Sequence, residues 1–213
     1  MTTPHFTLCA RGALACSLLL ALASCASLSP EQCREADWRQ IGYADAVKGL
    51  PGSQINEHAS ACAPQGIRPN LDAYLQGRRQ GLLSYCQAEN GFRIGRRGDD
   101  HIAADCPPDL KPGFFQQYDF GRQIHALEAE LASRRSDISN NHYRIRSSDE
   151  RLDKIRRELG RSDITPDQRR NLLGEFNALL ARKESLAHDN LHLQQEVWDI
   201  EWRLTNRLRQ LGR

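Results

Sequence analysis

The sequence predicts an all-α protein in which a small, disulfide-stapled helical domain precedes a long antiparallel two-helix coiled-coil hairpin. Two long runs of apolar residues repeat with alternating spacings of four and three, the pattern of helices packed along a seam. Four cysteines lie upstream of these runs, and helix-start motifs with proline at the first helical position occur twice. We predict a signal segment at 1–24, a cysteine-containing helical domain at 25–108 and the hairpin at 109–213.

The first segment has the layout of a bacterial lipoprotein signal. An apolar run from Gly12 to Ala23 follows Arg11 and leads into Leu22-Ala23-Ser24-Cys25. The run is too short to span a bilayer and ends in small residues, as secretory signals do. We expect Cys25 to be lipidated and to anchor the mature protein in the membrane. No aspartate follows it, which favours the periplasmic face of the bacterial outer membrane. The alternative is an ordinary signal peptide that contains a cysteine.

Four further cysteines, Cys33, Cys62, Cys86 and Cys106, belong to the predicted mature domain. An even number in an oxidising compartment predicts two disulfides, although four cysteines allow three pairings and the sequence alone does not choose among them. Because short loops close at the lowest entropic cost, we predict Cys33–Cys62 and Cys86–Cys106. Zinc is the alternative, since His58 and Cys62 lie four residues apart, but no C-x-x-C pair is present and no metal site is predicted.

Helix signals divide the cysteine domain into elements. Ser29-Pro30-Glu31-Gln32 combines a capping serine, proline at the first helical position and glutamine three residues after the cap, which predicts a helix over 30–48. Further helices are predicted over 53–63 and 71–87. The segment 89–108 is rich in turn-forming residues and predicts a loop, with a small β-hairpin as an alternative.

Glycines recur on the helical faces of this domain, and two interpretations are open. Tight helix packing is favoured, because a glycine face lets another backbone approach closely. The alternative is a small pocket floored by glycine, whose candidate binding residues are Asp45, His58, Arg78, Arg122 and Trp38. Since an unpaired buried charge is costly, we predict that Asp45 is held by an arginine, Arg78 or Arg122.

The hairpin is predicted from two heptad runs, from Phe120 to Leu159 and from Leu172 to Leu211. Between them, Thr165-Pro166-Asp167-Gln168 repeats the helix-start motif, and so short a connection implies antiparallel neighbours. Several seam positions are polar, which can define the register of a coiled coil. Pairing residues whose numbers sum to about 331 places Asn141 opposite Asn190 and Ser148 opposite Lys183.

The first half of the chain also carries a scattered pattern of tryptophan, glycine, tyrosine, cysteine and asparagine residues. These residues are Ala36-Asp37-Trp38, Ile41-Gly42, Asp45, Gly49, His58, Ala61-Cys62, Gly66, Pro69, Tyr74, Gly77-Arg78, Gly81-Leu82, Tyr85-Cys86, Asn90-Gly91-Phe92, Gly95, Gly98, Cys106-Pro107, Tyr118 and Gly121-Arg122. In this pattern the chain resembles bacterial lipoproteins that carry the domain of unknown function numbered 2799. The resemblance spans about residues 30 to 125. It implies an envelope lipoprotein and supplies no activity.

The function that these features favour is an interaction or structural protein of the cell envelope that acts through its hairpin on an envelope protein or a second copy. No hydrolase, metalloprotease or nucleotide-binding motif is present, so we predict no enzyme activity, catalytic residue or cofactor. A formal net charge of +2 argues against nucleic-acid binding. The alternative is a module that binds a small polar or anionic ligand such as a glycan fragment. An interacting hairpin would leave an apolar stripe open, whereas a hairpin that merely braces the domain would cover it.

Overall fold

The computed structural model describes residues 27–100 and 102–210, and throughout these ranges the regular elements are helical. The seven α-helices of these ranges are α1 (Pro30–Arg34), α2 (Trp38–Val47), α3 (Gln54–Cys62), α4 (Leu71–Tyr85), α5 (Ala88–Arg97), α6 (Lys111–Leu159) and α7 (Pro166–Arg209). A 3₁₀ turn at Ala63–Gln65 extends α3. The all-α class is confirmed. The predicted signal segment and Cys25 lie outside the described residues. Within the described ranges, we find no helix with both the length and the apolar composition needed to cross a bilayer.

The predicted helix over 30–48 is wrong, because the chain forms two helices there. The capping box of Ser29 and Gln32 opens α1 as predicted, and α1 ends at Arg34. The carboxylate of Asp37 then accepts the backbone N–H groups of Arg39 and Gln40 at 3.0 and 3.1 Å. These bonds satisfy donors that a helix start leaves open, so Asp37 begins a new helix.

The predicted loop over 89–108 is also wrong in its first half, which is α5. Its glycines provide close packing rather than turns. A Cβ atom at Gly91 would lie 2.3 Å from the carbonyl oxygen of Phe114, and one at Gly95 would lie 2.1 Å from that of Tyr118. Both carbonyls belong to α6, so only glycine allows α5 to approach it this closely. The helix ends before Gly98, whose φ of 81° lies in the left-handed region.

The chain divides into two compact units, one formed by the residues up to Gly91 with Asp99–Gln117, the other by Phe92–Gly98 with the residues from Tyr118 onward. The first unit contains both disulfides. Cys33 of α1 is bonded to Cys62 at the end of α3. Cys86, directly after α4, is bonded to Cys106 in the segment before α6. The predicted pairing is therefore confirmed, and Cys62 is not available as a zinc ligand.

The core of the first unit is the crossing of α2 and α4. A Cβ atom at Gly42 would lie 2.1 Å from the carbonyl oxygen of Tyr74, and one at Gly77 would lie 1.7 Å from that of Arg39. The glycine faces thus serve helix packing, as favoured above. Beside this crossing, Trp38, Tyr74 and the Cys33–Cys62 disulfide form a buried cluster.

The second unit contains the antiparallel hairpin of α6 and α7. Thr165 and Gln168 form a capping box at the start of α7, as their spacing predicts. The register is confirmed at one point, where the Asn141 Nδ2 donates to Asn190 Oδ1 at 3.0 Å.

The predicted register also agrees near Ser148 and Lys183, where Lys183 contacts the residue next to Ser148. The Ser148 hydroxyl donates to the carbonyl of Arg144 on its own helix. Lys183 pairs with Asp149, because its long side chain reaches a carboxylate beside the seam.

Candidate functional site

A buried polar network joins three helices of the first unit. The Tyr74 hydroxyl of α4 donates to Asp45 Oδ2 of α2 at 2.9 Å, and the His58 Nε2 of α3 lies 2.8 Å from the same oxygen. Asp45, His58 and Tyr74 are each at most 5% exposed. The prediction that an arginine holds Asp45 is therefore wrong. Because hydrogen bonds from a phenol and an imidazole satisfy the carboxylate, it needs no guanidinium partner.

Burial is the main cause of a strongly raised Tyr74 pKa, and the hydrogen bond to Asp45 raises it further. The phenol therefore stays protonated and acts as a donor. On the other side of the network, the His58 Nδ1 lies 2.9 Å from the hydroxyl of Ser27. Ser27 is two positions after Cys25, so the network reaches to within two residues of the predicted lipidation position.

Arg78 forms a second buried polar group in the first unit. Its guanidinium donates two bonds to Asp105, at 2.9 and 2.8 Å, and one to the carbonyl of Leu50 at 2.7 Å. Burial by itself would raise the pKa of Asp105, but the hydrogen bonds and charge of Arg78 outweigh it and hold that pKa below its ordinary value. Arg78 thus ties α4 to the segments that precede α3 and α6.

The five candidate binding residues have different partners and surroundings. Trp38 belongs to the disulfide core, while Asp45 and His58 are bonded to each other. Arg78 is occupied by Asp105, and Arg122 belongs to the second unit, where it donates to the carbonyl of Gly98 at 3.3 Å. Sequence reasoning missed Tyr74 and Asp105 as partners, because each lies more than 25 positions from the residue it binds.

The first unit does contain an open groove of about 690 Å³ that sequence reasoning missed. Its lining combines cationic, amide and apolar side chains with the Cys86–Cys106 region: Arg39, Gln76, Arg79, Gln80, Leu82, Leu83, Asp105, Cys106, Pro107 and Pro108. Arg39 and Arg79 are exposed, and neither has an ion-pair partner in the described part of the chain. The groove therefore offers two cationic side chains to an anion.

A row of large apolar side chains on α7 is exposed. We call this row the apolar stripe; it consists of Leu173 (46% exposed), Leu180 (42%), Leu191 (60%), Trp198 (76%) and Trp202 (67%). Sequence reasoning followed only the seam positions and missed the stripe. Its signal was present, since Leu173 and Leu180, like Leu191 and Trp198, are separated by one heptad.

Together these features define an all-helical protein with two disulfides in its N-terminal part and a long helical hairpin in its C-terminal part. Residues 37–123 match the family described as "Protein of unknown function (DUF2799)", so this segment of the chain carries that domain. The match begins at the cap of α2 and ends within α6. The remainder of α6 and all of α7, including the apolar stripe, lie beyond it. No curated protein and no solved structure matches the chain.

Proposed function

We propose that this protein is a lipid-anchored interaction protein of the cell envelope, held at the periplasmic face of the outer membrane by Cys25. Its hairpin binds a partner helix through the apolar stripe of α7. The first unit is a disulfide-stabilised base, and its polar groups have structural roles.

The observation that supports this proposal is the open apolar stripe. A single exposed leucine is ordinary, but a row of large apolar groups aligned on one helix is typical of a protein–protein contact. Tryptophan is enriched among the interface residues that contribute most of the binding energy. The side chains of Trp198 and Trp202 are 76% and 67% exposed. A hairpin that only braced the first unit would have no use for an exposed stripe.

Site-specific photocrosslinking in whole cells tests the partner-binding role. A photoreactive amino acid at position 191 or 198 should give a discrete crosslinked product, because both side chains are exposed. The matched control is position 143 on α6, where Tyr143 is 67% exposed but lies outside the stripe. Equal labelling from positions 143 and 198, or no product from either, would contradict a specific contact at the stripe.

Metabolic labelling with an alkynyl fatty acid tests the anchor separately. The wild-type protein should incorporate the label and Cys25→Ala should not, because the thiol is the predicted acceptor. Ser24→Ala is the control, since it keeps the cysteine and a small residue before it. Label on Cys25→Ala, or none on the wild type, would show that the protein is held in the envelope by other means.

The groove beside Asp105 supports a second candidate, the binding of a small anionic ligand. Arg39 and Arg79 would supply the charge, and Gln76 and Gln80 would supply hydrogen bonds. Calorimetric titration with anionic glycan fragments should then give saturable binding that Arg39→Gln and Arg79→Gln each weaken. Arg182→Gln on α7 is the control, because Arg182 is exposed and does not line the groove. Unaltered binding by both groove variants would reject this site.

A further inference from the structure

We propose that the partner of α7 is a second copy of this chain, whose α7 packs antiparallel to the first around a two-fold axis at His188 and covers Trp198 and Trp202 of the apolar stripe. The inference rests on the proposed function, which places a partner helix on α7 without identifying it. Four observations on α7 support the choice of a second copy.

The first observation is a size gradient along the face of α7 opposite the seam. At spacings of three and four, this face presents Gly174, Ala178, Ala181, Ser185, His188, His192, Gln195, Asp199 and Trp202, all of them exposed. We call this line, together with Trp198 between Gln195 and Trp202, the outer face. Its N-terminal half has small side chains and its C-terminal half has large ones. No heavy atom lies within 4 Å of where a Cβ atom would stand at Gly174, so the space beside it is open.

The second observation is that an antiparallel copy brings large residues onto small ones. With the axis at His188, each residue meets the one that lies equally far on the other side of it. Trp202 then meets Gly174 of the other copy, and Trp198 meets Ala178. Alternation of large and small side chains across facing positions is what allows two helices to pack closely. A parallel copy in register would instead place indole against indole and glycine against glycine.

The third observation is that oppositely charged residues face each other in this register. The same register places Asp167 opposite Arg209 of the other copy and Glu184 opposite His192. By contrast, the outer side of α6 near the turn carries exposed Glu150, Asp153, Lys154 and Arg157. That side has the composition of a solvated surface, whereas the outer face of α7 between Gly174 and Gln195 carries few charges.

This register also places Glu175 opposite Glu201 of the other copy, and each of these carboxylates already has an arginine partner. Glu175 pairs with Arg151 at 2.7 Å and Glu201 pairs with Arg135 at 2.6 Å, each within its own copy.

The fourth observation is the exposed apolar area that the pairing would bury. The indoles of Trp198 and Trp202 from both copies hold on the order of 500 Å² of exposed apolar surface. A specific interface buries at least ~1,200 Å² in total, so these four rings alone would supply a large share of it. Two copies anchored in one membrane can form this pair when the two-fold axis is normal to the membrane.

Cysteine crosslinking of the full-length protein in its own cells tests the register. The four cysteines in the described part of the chain form disulfides, so an introduced cysteine provides a new thiol. His188→Cys should give a covalent homodimer, because the axis brings both copies of this position together. Ala178→Cys alone and Trp198→Cys alone should give none, since each lies ~30 Å from its own counterpart along the helix. Co-expression of these two variants should give the crosslink between them.

The outcomes separate this inference from the proposed function. Homodimers from every single variant on the outer face would indicate parallel pairing and overturn the antiparallel register. Crosslinks from α7 to a different protein, with no homodimer from His188→Cys, would overturn the inference and leave the proposed function standing. Absence of any crosslink from α7 would overturn both. Tyr143→Cys on α6 should give no homodimer and controls for random collision.

Self-association can also be measured without crosslinks. Gly174→Arg should weaken dimerisation of the detergent-solubilised protein at least tenfold by light scattering, because the added side chain occupies the place of Trp202. The hairpin should retain its helicity, since position 174 faces open space in the single copy. Glu150→Arg, on the outer side of α6, is the matched control and should dimerise like the wild type. Unchanged association of Gly174→Arg would overturn the proposal.

Discussion

Replacing Gly77 by alanine should destabilise the first unit. The added Cβ atom would lie 1.7 Å from the carbonyl oxygen of Arg39, 2.7 Å from its carbonyl carbon and 3.0 Å from the backbone nitrogen of Tyr43. All three atoms belong to the backbone of α2, so no side-chain rotation relieves the overlap. Since ordinary contacts begin near 3.4 Å, α2 and α4 must separate by more than an ångström. That separation also loosens the contact of Gly42 with Tyr74.

The size of the effect follows from two opposing terms. Overpacking a close contact costs about 1–3 kcal/mol, and a backbone clash this severe belongs at the upper end. Alanine regains up to ~1 kcal/mol of helix propensity over glycine. The free energy of unfolding of the first unit should therefore fall by about 2 kcal/mol, which lowers the Tm of a unit of this size by roughly 10 °C.

Thermal and urea unfolding followed by circular dichroism, under non-reducing conditions, measures this loss. The matched control is Gly113→Ala, in α6 and in the same unit, where the nearest atom is the Cβ of Ala88 at 3.9 Å. Only the difference in helix propensity applies there, so the free energy of unfolding of this variant should equal that of the wild type or exceed it by up to ~1 kcal/mol. Equal stability of Gly77→Ala and Gly113→Ala would refute the idea that glycine at 77 serves helix packing.

Three further predictions concern buried polar groups. Asp45→Asn should lower the free energy of unfolding by about 1–3 kcal/mol, because a neutral amide oxygen accepts the bonds from Tyr74 and His58 more weakly than the carboxylate does. In urea titrations, a loss below 0.5 kcal/mol would contradict a structural role. Asp105→Asn should be less stable than the wild type at pH values above the ordinary aspartate pKa of 3.8, and the difference should shrink as the pH falls below it, since a carboxylate with a depressed folded pKa contributes stability that protonation removes. Parallel stability curves across this pH range would argue against the ion pair. Asn141→Leu and Asn190→Leu should each destabilise the hairpin when made alone, while the double variant recovers stability at the expense of a defined register. Additive losses in a double-mutant cycle would show that the two amides do not interact.

Several features of the fold follow from residues close together in the sequence. The heptad runs determine α6 and α7, because each apolar position depends only on helical periodicity. Proline and a capping serine or threonine determine where α1 and α7 begin, because the capping hydroxyl accepts a hydrogen bond from a backbone N–H group of the first turn. The break before α2 is equally local, since the Asp37 carboxylate bonds the N–H groups two and three residues ahead. The disulfide pairing also agrees with chain proximity.

Other features depended on contacts between distant segments. Judged from neighbouring residues only, Gly91 and Gly95 are typical of turns. They are helical in the structure because α6 packs against them. Asp45 lies on the same helical face as several glycines, yet its partners come from α3 and α4, at separations that no periodic pattern encodes. Arg78 was a plausible partner by charge, but Asp105 in the segment before α6 binds it instead.

The sequence by itself therefore determined the helical class, the hairpin, its register at Asn141 and the number of disulfides. These depend on backbone periodicity, local capping and chain connectivity. Only the tertiary structure decided which polar groups are satisfied internally and which apolar groups remain exposed. Both outcomes depend on the surface that other helices cover, and that coverage is a property of the packed molecule. For this reason the apolar stripe of α7 became visible only once the seam was occupied by α6.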